Sequence, residues 1–226
     1  MTTRILPAYD VRHYDQLLFN DKGQLNAVDA YDLHQIHHIE RQIWAHNNSV
    51  YHFITKEMIQ WLGEIINDRP AIEICGGNGG IGRHLGIPST DSYMQTWPHI
   101  IDYYLRHGQR PIFPPKDVLE YEANKAVDTF QPKVVIGAFV TQKYKHTDVN
   151  SINPGSLYGV DEEELLKKVE TYVMLGNKEP HKGKRIFKLP HRELRFPWQI
   201  TRSIDPSYDR VWIWDKRELK KDHYDH

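Results

Sequence analysis

Glu73 and the glycines after Cys75 are the densest group of chemically useful residues in this chain. The stretch "AIEICGGNGGIGRHLGI", residues 71–87, runs from apolar residues through Glu73 and Cys75 into five glycines within seven positions, interrupted by Asn78 and Ile81. Glycine admits positive φ and lets a ligand reach the backbone. Gly76, Gly77 and Gly79 therefore fit a tight turn with exposed N–H groups, and a helix start after them favours a negative group nearby. A phosphate loop needs a lysine followed by serine or threonine, and neither pair follows these glycines. The dinucleotide pattern G-x-G-x-x-G does match at residues 77–82. Two features oppose it. Glu73 stands inside the strand, where no pyrophosphate wants an acid, and Asp91 comes sooner than the usual spacing of about 20 residues.

Other residues invite chemistry with less pattern behind them. Tyr144 and His146, in "GAFVTQKYKH", could remove a proton from a bound substrate. His34 and His38 are spaced i, i+4, as metal ligands on one helix face are, but no HExxH accompanies them, and no metal site is expected. His191 has no assignable role. Cys75 is the single cysteine, which excludes an internal disulfide and points to a reducing compartment. It reads as a small buried residue rather than a nucleophile.

These residues need elements to position them. Apolar spacing predicts one helix over 28–44 and a second over 50–66. A short strand over 71–75 leads into the glycines, and a short helix follows Gly82 until Pro88. Residues 90–92 read as a strand end, 97–107 as a helix, 124–130 as a short helix, and "KVVIGAFV" (133–140) as a buried strand. A loop covers 141–160. From Asp161 an acid-rich helix start runs into a strand near 171–175, and "KRIFKLP" and "RVWIWD" are strand-like. Strands alternating with helices predict an α/β fold with a mostly parallel sheet, which binds ligands at the carboxyl ends of its strands. The glycines lie at such an end.

The chain has 226 residues, 39% hydrophobic and 26% charged, with a formal net charge of −1. This is a globular composition whose overall field advertises neither nucleic acid nor an acidic surface as partner. No stretch approaches the roughly 20 apolar residues of a membrane span. The segment "MTTRILPAYDVRHYD" lacks the apolar core of a signal peptide, so a cytoplasmic protein without a membrane partner is expected.

An acid near the end of a first strand followed by a glycine-rich turn resembles motif I of the class I S-adenosylmethionine-dependent methyltransferases, in an uncharacterised branch. The family pattern acid-x-G-x-G-x-G falls on Glu73, Cys75, Gly77 and Gly79, with Cys75 in place of the first glycine. The resemblance spans about residues 70–145. It implies that Glu73 positions the methionine ammonium and that Gly76, Gly77, Asn78 and Gly79 pack against the cofactor. Asp91, in "STDSYM", is similar to the acid that holds the ribose hydroxyls. Glu122 and Ala123, in "YEANKAV", are similar to the acid–alanine pair at the adenine. "PKVVIGAFVT" looks like the fourth strand, with Phe139 at the cofactor and the substrate groups beyond it. The Asn/Asp-Pro-Pro-aromatic motif of adenine- and glutamine-modifying enzymes is absent, as is the cysteine of cytosine-C5 enzymes.

The resemblance implies a Rossmann-like methyltransferase sheet with helices on both faces. An N-terminal helical extension or lid (1–68) would precede a cofactor-binding domain with C-terminal closing strands (69–226). The implied activity is methyl transfer from S-adenosylmethionine to a small-molecule acceptor, with Tyr144 and His146 as the catalytic candidates. Two other readings stay open. One is an S-adenosylmethionine-binding protein without transferase activity. The other is a nucleic-acid-binding or modifying protein that uses the tail, where residues 181–221 hold 12 Lys/Arg against 5 Asp/Glu, interleaved with Phe187, Phe196, Trp198, Trp212 and Trp214. The alternation in "RVWIWD" favours closing strands, with both tryptophans buried on one face and Ile213 on the other.

Overall fold

The computed structural model describes residues 10–148 and 150–217. The start of the chain, on which the signal-peptide expectation partly rests, and the last charges of the tail lie outside the described residues.

The strands are β1 (Ala71–Ile74), β2 (Ser89–Asp91), β3 (Val118–Glu120), β4 (Val134–Ala138), β5 (Thr171–Asn177), β6 (Arg192–Leu194) and β7 (Asp209–Asp215). They form one seven-stranded sheet in the order β3-β2-β1-β4-β5-β7-β6. The first five are parallel, and β7 runs antiparallel to β5 and β6. This is a Rossmann-like α/β fold, whose chain order reverses between β1 and β4, the place where such sheets take ligands.

Alternation along each central strand builds two core layers. Ala71, Val134, Ile136, Val173, Val211 and Ile213 point to one face, and Ile72, Val135, Tyr172, Met174, Trp212 and Trp214 to the other. The first face is covered by the N-terminal region: α1 (Asp15–Leu18), α2 (Ala30–Gln35), α3 (His38–Asn47) and α4 (Lys56–Ile66), with Leu33, Trp44, Phe53, Met58 and Leu62 in one cluster with the strands. Ile81 of α5 (Gly80–Leu85) joins it. The second face carries α7 (Ala123–Phe130) and α8 (Glu162–Lys168). The remaining helices are α6 (Pro98–Arg106) and α9 (Lys178–His181).

Three expectations about elements are corrected. The helix expected over 28–44 breaks at Ile36, whose ψ of 132° ends α2, and His37 caps α3 by accepting from the Ile39 N–H. His34 and His38 therefore do not share a helix face. The helix expected over 50–66 begins only at Lys56. Thr55 caps it, its Oγ1 accepting from the Met58 N–H at 3.2 Å, while the preceding residues run extended with bridges of Thr55 to Val28 and His52 to Thr201. "KRIFKLP" is a 3-10 turn over Arg185–Lys188, because Lys184 is drawn inward and Ile186 turns into the second core layer. β3 and β6, of three residues each, carry no apolar run that would announce them.

Trp212 and Trp214 are buried on one face and Ile213 on the other, as the alternation in "RVWIWD" requires. Trp198 is buried as well, and Phe196 stacks on it with ring centroids 4.4 Å apart.

Candidate functional site

The glycine turn is shaped first by its own neighbours. Glu73 is buried to 1% exposure beneath it, and its Oε2 accepts the Gly82 N–H at 2.8 Å. The start of α5 thus already has its negative group, and that group belongs to the protein. Burial raises the Glu73 carboxyl to about 7, against the pull of this hydrogen bond. Gly76 is required by crowding: a Cβ there would stand 2.2 Å from Ser89 Oγ and 3.1 Å from Glu73 Oε2. Gly77 is required by conformation, with φ of +51°.

Seven described residues without glycine's freedom share that conformation, and two of them flank the switch point. Cys75, at the end of β1, and Phe139, at the end of neighbouring β4, both have φ of 52°. Left-handed backbone at a non-glycine residue costs energy and clusters where a fold holds a ligand. Both residues line one cleft at the switch point. Burial raises the Cys75 thiol, which keeps it protonated and a poor nucleophile.

The cleft has two parts that meet at Cys75, Ser92, Met94 and the segment 158–160. The first, about 160 Å³, runs along Gly76, Gly77, Asn78 and Gly80 to Asp91 and Phe139, with Tyr51 and His52 from the N-terminal region and Tyr104 from α6. Asp91 is locked in place: Oδ2 accepts the Gly77 N–H at 3.0 Å and Oδ1 the Tyr93 N–H at 2.9 Å. Each oxygen keeps a lone pair for a ligand. Burial shifts this carboxyl upward. Neither lysine nor arginine lines this part.

The second part, about 650 Å³, is walled by Trp97, Tyr121 and Tyr158, with Glu120, Glu122 and Ala123 along it. Glu122 is exposed and lies 3.6 Å from Lys125. Beside the second part Trp97 meets Tyr158 edge to face at 5.2 Å, and His99 Nε2 lies 3.4 Å from the Tyr158 hydroxyl.

Of the residues singled out in the sequence, the cleft brings together Gly76, Gly77, Asn78, Asp91, Glu122, Ala123 and Phe139. Glu73 supports the turn from below and does not line the cleft. At Gly79 the space a side chain would take is filled by Val118, with a Cβ only 2.5 Å from its Cγ2. Tyr144 and His146 pair with each other at 5.7 Å in the segment after β4, away from the cleft lining. His191 packs on Phe187 and Trp214. Among the described residues no group of three His, Cys, Asp or Glu is arranged to hold a metal ion, and no helix is long and apolar enough to cross a membrane.

Tyr51, His52, Tyr104 and Tyr158 also line the first part of the cleft. No motif surrounds them, and the fold alone carries them to the mouth. Burial lowers His52 to about 4, so it stands neutral in the cleft.

No protein-family model matches the sequence, and no curated protein matches it. Among solved structures, the chain is similar to a crystal structure of Thermoplasma acidophilum 1320, at 14% identity over 70% of this chain and 87% of that one, with a TM-score of 0.33. That likeness is too loose to bear on function.

Proposed function

We propose that this protein is an S-adenosylmethionine-dependent methyltransferase. The observation that carries the reading is the charge of the first part of the cleft. A dinucleotide brings a pyrophosphate, which needs N–H groups or basic side chains beside the glycine turn. Here the helix start is taken by Glu73, and the nearest charged lining residue is Asp91. Such a site repels a phosphate and suits a sulfonium with an α-ammonium group.

The residues present fit that cofactor. Gly77 lines the cleft without a side chain, and Asp91 keeps two oxygens for the ribose hydroxyls. Tyr121, Trp97, Glu122 and Ala123 offer aromatic faces and a hydrogen-bonding edge for a purine. When bound, the cofactor supplies an already activated methyl group, so the protein's work is to align an acceptor and exclude water. Trp97 and Tyr158, which wall the second part, would serve the exclusion.

Calorimetry with S-adenosylmethionine, S-adenosylhomocysteine and NAD tests the reading. Binding of the first two and not the third is expected. NAD binding without either of the others would overturn it. Binding of S-adenosylhomocysteine with no turnover across a panel of small acceptors would support cofactor binding without transfer. Tyr144 and His146, standing off the cleft, are the reason to keep that second reading.

A further inference from the structure

The segment before α4 runs antiparallel to a segment of the tail. His52 bridges Thr201, the Phe53 N–H donates to the Ile200 carbonyl at 2.9 Å, and the Arg202 N–H donates to the Tyr51 carbonyl at 3.1 Å. Tyr51 and Arg202 are neighbours across this ribbon, and the Arg202 guanidinium carbon lies 3.6 Å from the centre of the Tyr51 ring. A guanidinium over an aromatic face is held by the ring's charge distribution, which fixes the plane of its fork. Tyr51 borders the first part of the cleft, and so does Tyr104. The fork therefore stands just behind the rim of the cleft.

This cation has no counter-charge. Among the described residues its side chain makes no ion pair and no hydrogen bond, and Nη1 is buried without a partner. Arg83, Arg185 and Lys184 each hold a carboxylate instead. The groups around Arg202 cannot supply the missing anion. Burial lowers His46, and Arg202 and Arg110 lower it further, so its ring is neutral or of the same sign. Burial raises the Tyr104 hydroxyl against the pull of Arg202, so that group keeps its proton and is a further donor. Arg110 donates to the Asn47 carbonyl at 2.8 Å and adds positive charge to the same neighbourhood.

A buried donor left unmade is costly, and an acceptor brought by a ligand removes the cost. The residue is half-buried, so the rest of the fork is reachable from outside. A guanidinium held flat, with parallel N–H groups along one edge, matches the two oxygens of a carboxylate. One unmatched positive charge asks for one negative charge.

We propose that Arg202 anchors a carboxylate, carried by a small molecule that enters the cleft beside Tyr51 and Tyr104. Two sources share this chemistry: the amino-acid end of the cofactor, or a separate organic acid. Only the first rests on reading the cleft as the S-adenosylmethionine site.

The test titrates the full chain by calorimetry with benzoate and with benzamide, its uncharged counterpart, while the Arg202 Nε resonance is followed. Benzoate is expected to move that resonance and to bind about tenfold or more tightly than benzamide, the scale of one charge-assisted hydrogen bond. Arg202→Met is expected to lose the difference between the two. S-adenosylhomocysteine binding by the same variant tells the sources apart. A loss of about tenfold assigns the cofactor's own carboxylate, and unchanged binding assigns a separate acid. If the variant does not fold, the Arg202 resonance of the unaltered protein, followed with benzoate and with S-adenosylhomocysteine in turn, decides both points. Benzoate that binds no better than benzamide, or leaves the resonance unmoved, overturns the anchor. Inorganic phosphate that binds as tightly as benzoate and moves the same resonance overturns the carboxylate class. Failure of the unaltered protein to bind S-adenosylhomocysteine overturns the cleft reading, and the benzoate result still decides Arg202.

Discussion

Gly77 and Asp91 are one unit. The Gly77 N–H donates to Asp91 Oδ2 at 3.0 Å, from a residue whose backbone is left-handed. Valine in that conformation is strained, and its Cβ would sit 3.0 Å from Ile112 Cδ1. Gly77→Val is therefore expected to abolish binding of S-adenosylhomocysteine, measured by calorimetry on protein whose circular dichroism is unchanged. Asp91→Ala is expected to weaken that binding by about 1.5–3 kcal/mol, the range for hydrogen bonds to a charged group. Unimpaired binding in both folded variants would remove the assignment of the glycine turn.

Glu73 makes a separate prediction about pH. Its carboxyl titrates near 4.5 in the unfolded chain and at about 7 in the fold. Below pH 4.5 both states are protonated and burial carries no ionic penalty. Between 4.5 and 7 the unfolded chain gives up its proton first, so stability falls as pH rises, by a total of about 3 kcal/mol. Above 7 the penalty is constant. Thermal melts of Glu73→Gln should lose less stability between pH 5 and 7 than the unaltered protein does. Equal losses in both would show that Glu73 is ionised throughout.

At the scale of elements, Lys184 fastens three pieces of chain. Its ammonium ties the 3-10 turn Arg185–Lys188 to α8 through Glu162, and to the end of β4 through the Val140 carbonyl. The Tyr172 hydroxyl donates to the same Glu162 oxygen at 2.9 Å. Lys184→Met would leave Glu162 buried without its counter-charge, and breaking a buried pair in this way costs about 3–5 kcal/mol. Urea titration is expected to show that loss, with a much smaller one in the double variant Lys184→Met, Glu162→Leu. A single variant as stable as the parent would mean that the pair adds nothing to the fold.

For the whole molecule, the tail closes the sheet. β7 lies between β5 and β6 and pairs with β5 along seven residues. It supplies Trp212 and Trp214 to one core layer and Val211 and Ile213 to the other. Truncation after Lys188 would strip an edge of β5 and open both layers at once. It is expected to give a chain without a cooperative thermal transition, measured by circular dichroism, rather than a folded protein with altered binding. A cooperative melt of the truncated chain would return the tail to the status of an appendage.

Local sequence determined a good deal of this. The periodicity in "KVVIGAFV" and "RVWIWD" found β4 and β7, because buried strands must place apolar residues on both faces. The glycines marked the end of β1, because only a turn needs so much backbone freedom. What tertiary structure decided was the direction each residue faces. Glu73 and Asp91 are both acids near strand ends, yet one lies under the start of α5 and the other borders the cleft. Their difference is set by the packing of α5 and β2, which no local pattern records. Counting residues from β4 puts Tyr144 and His146 near the mouth, but the segment is held by bridges of Gln142 to Val160 and Lys143 to Ser156, and it is Thr141 and Lys143, not Tyr144 or His146, that line the cleft. Tyr51, Tyr104 and Tyr158 come from segments far apart in the chain, and only chain closure around the sheet sets them along the cleft with Phe139 and the glycine turn. A strand is written in neighbouring residues because its pleat repeats every two; a cleft is assembled from residues whose meeting depends on every element between them.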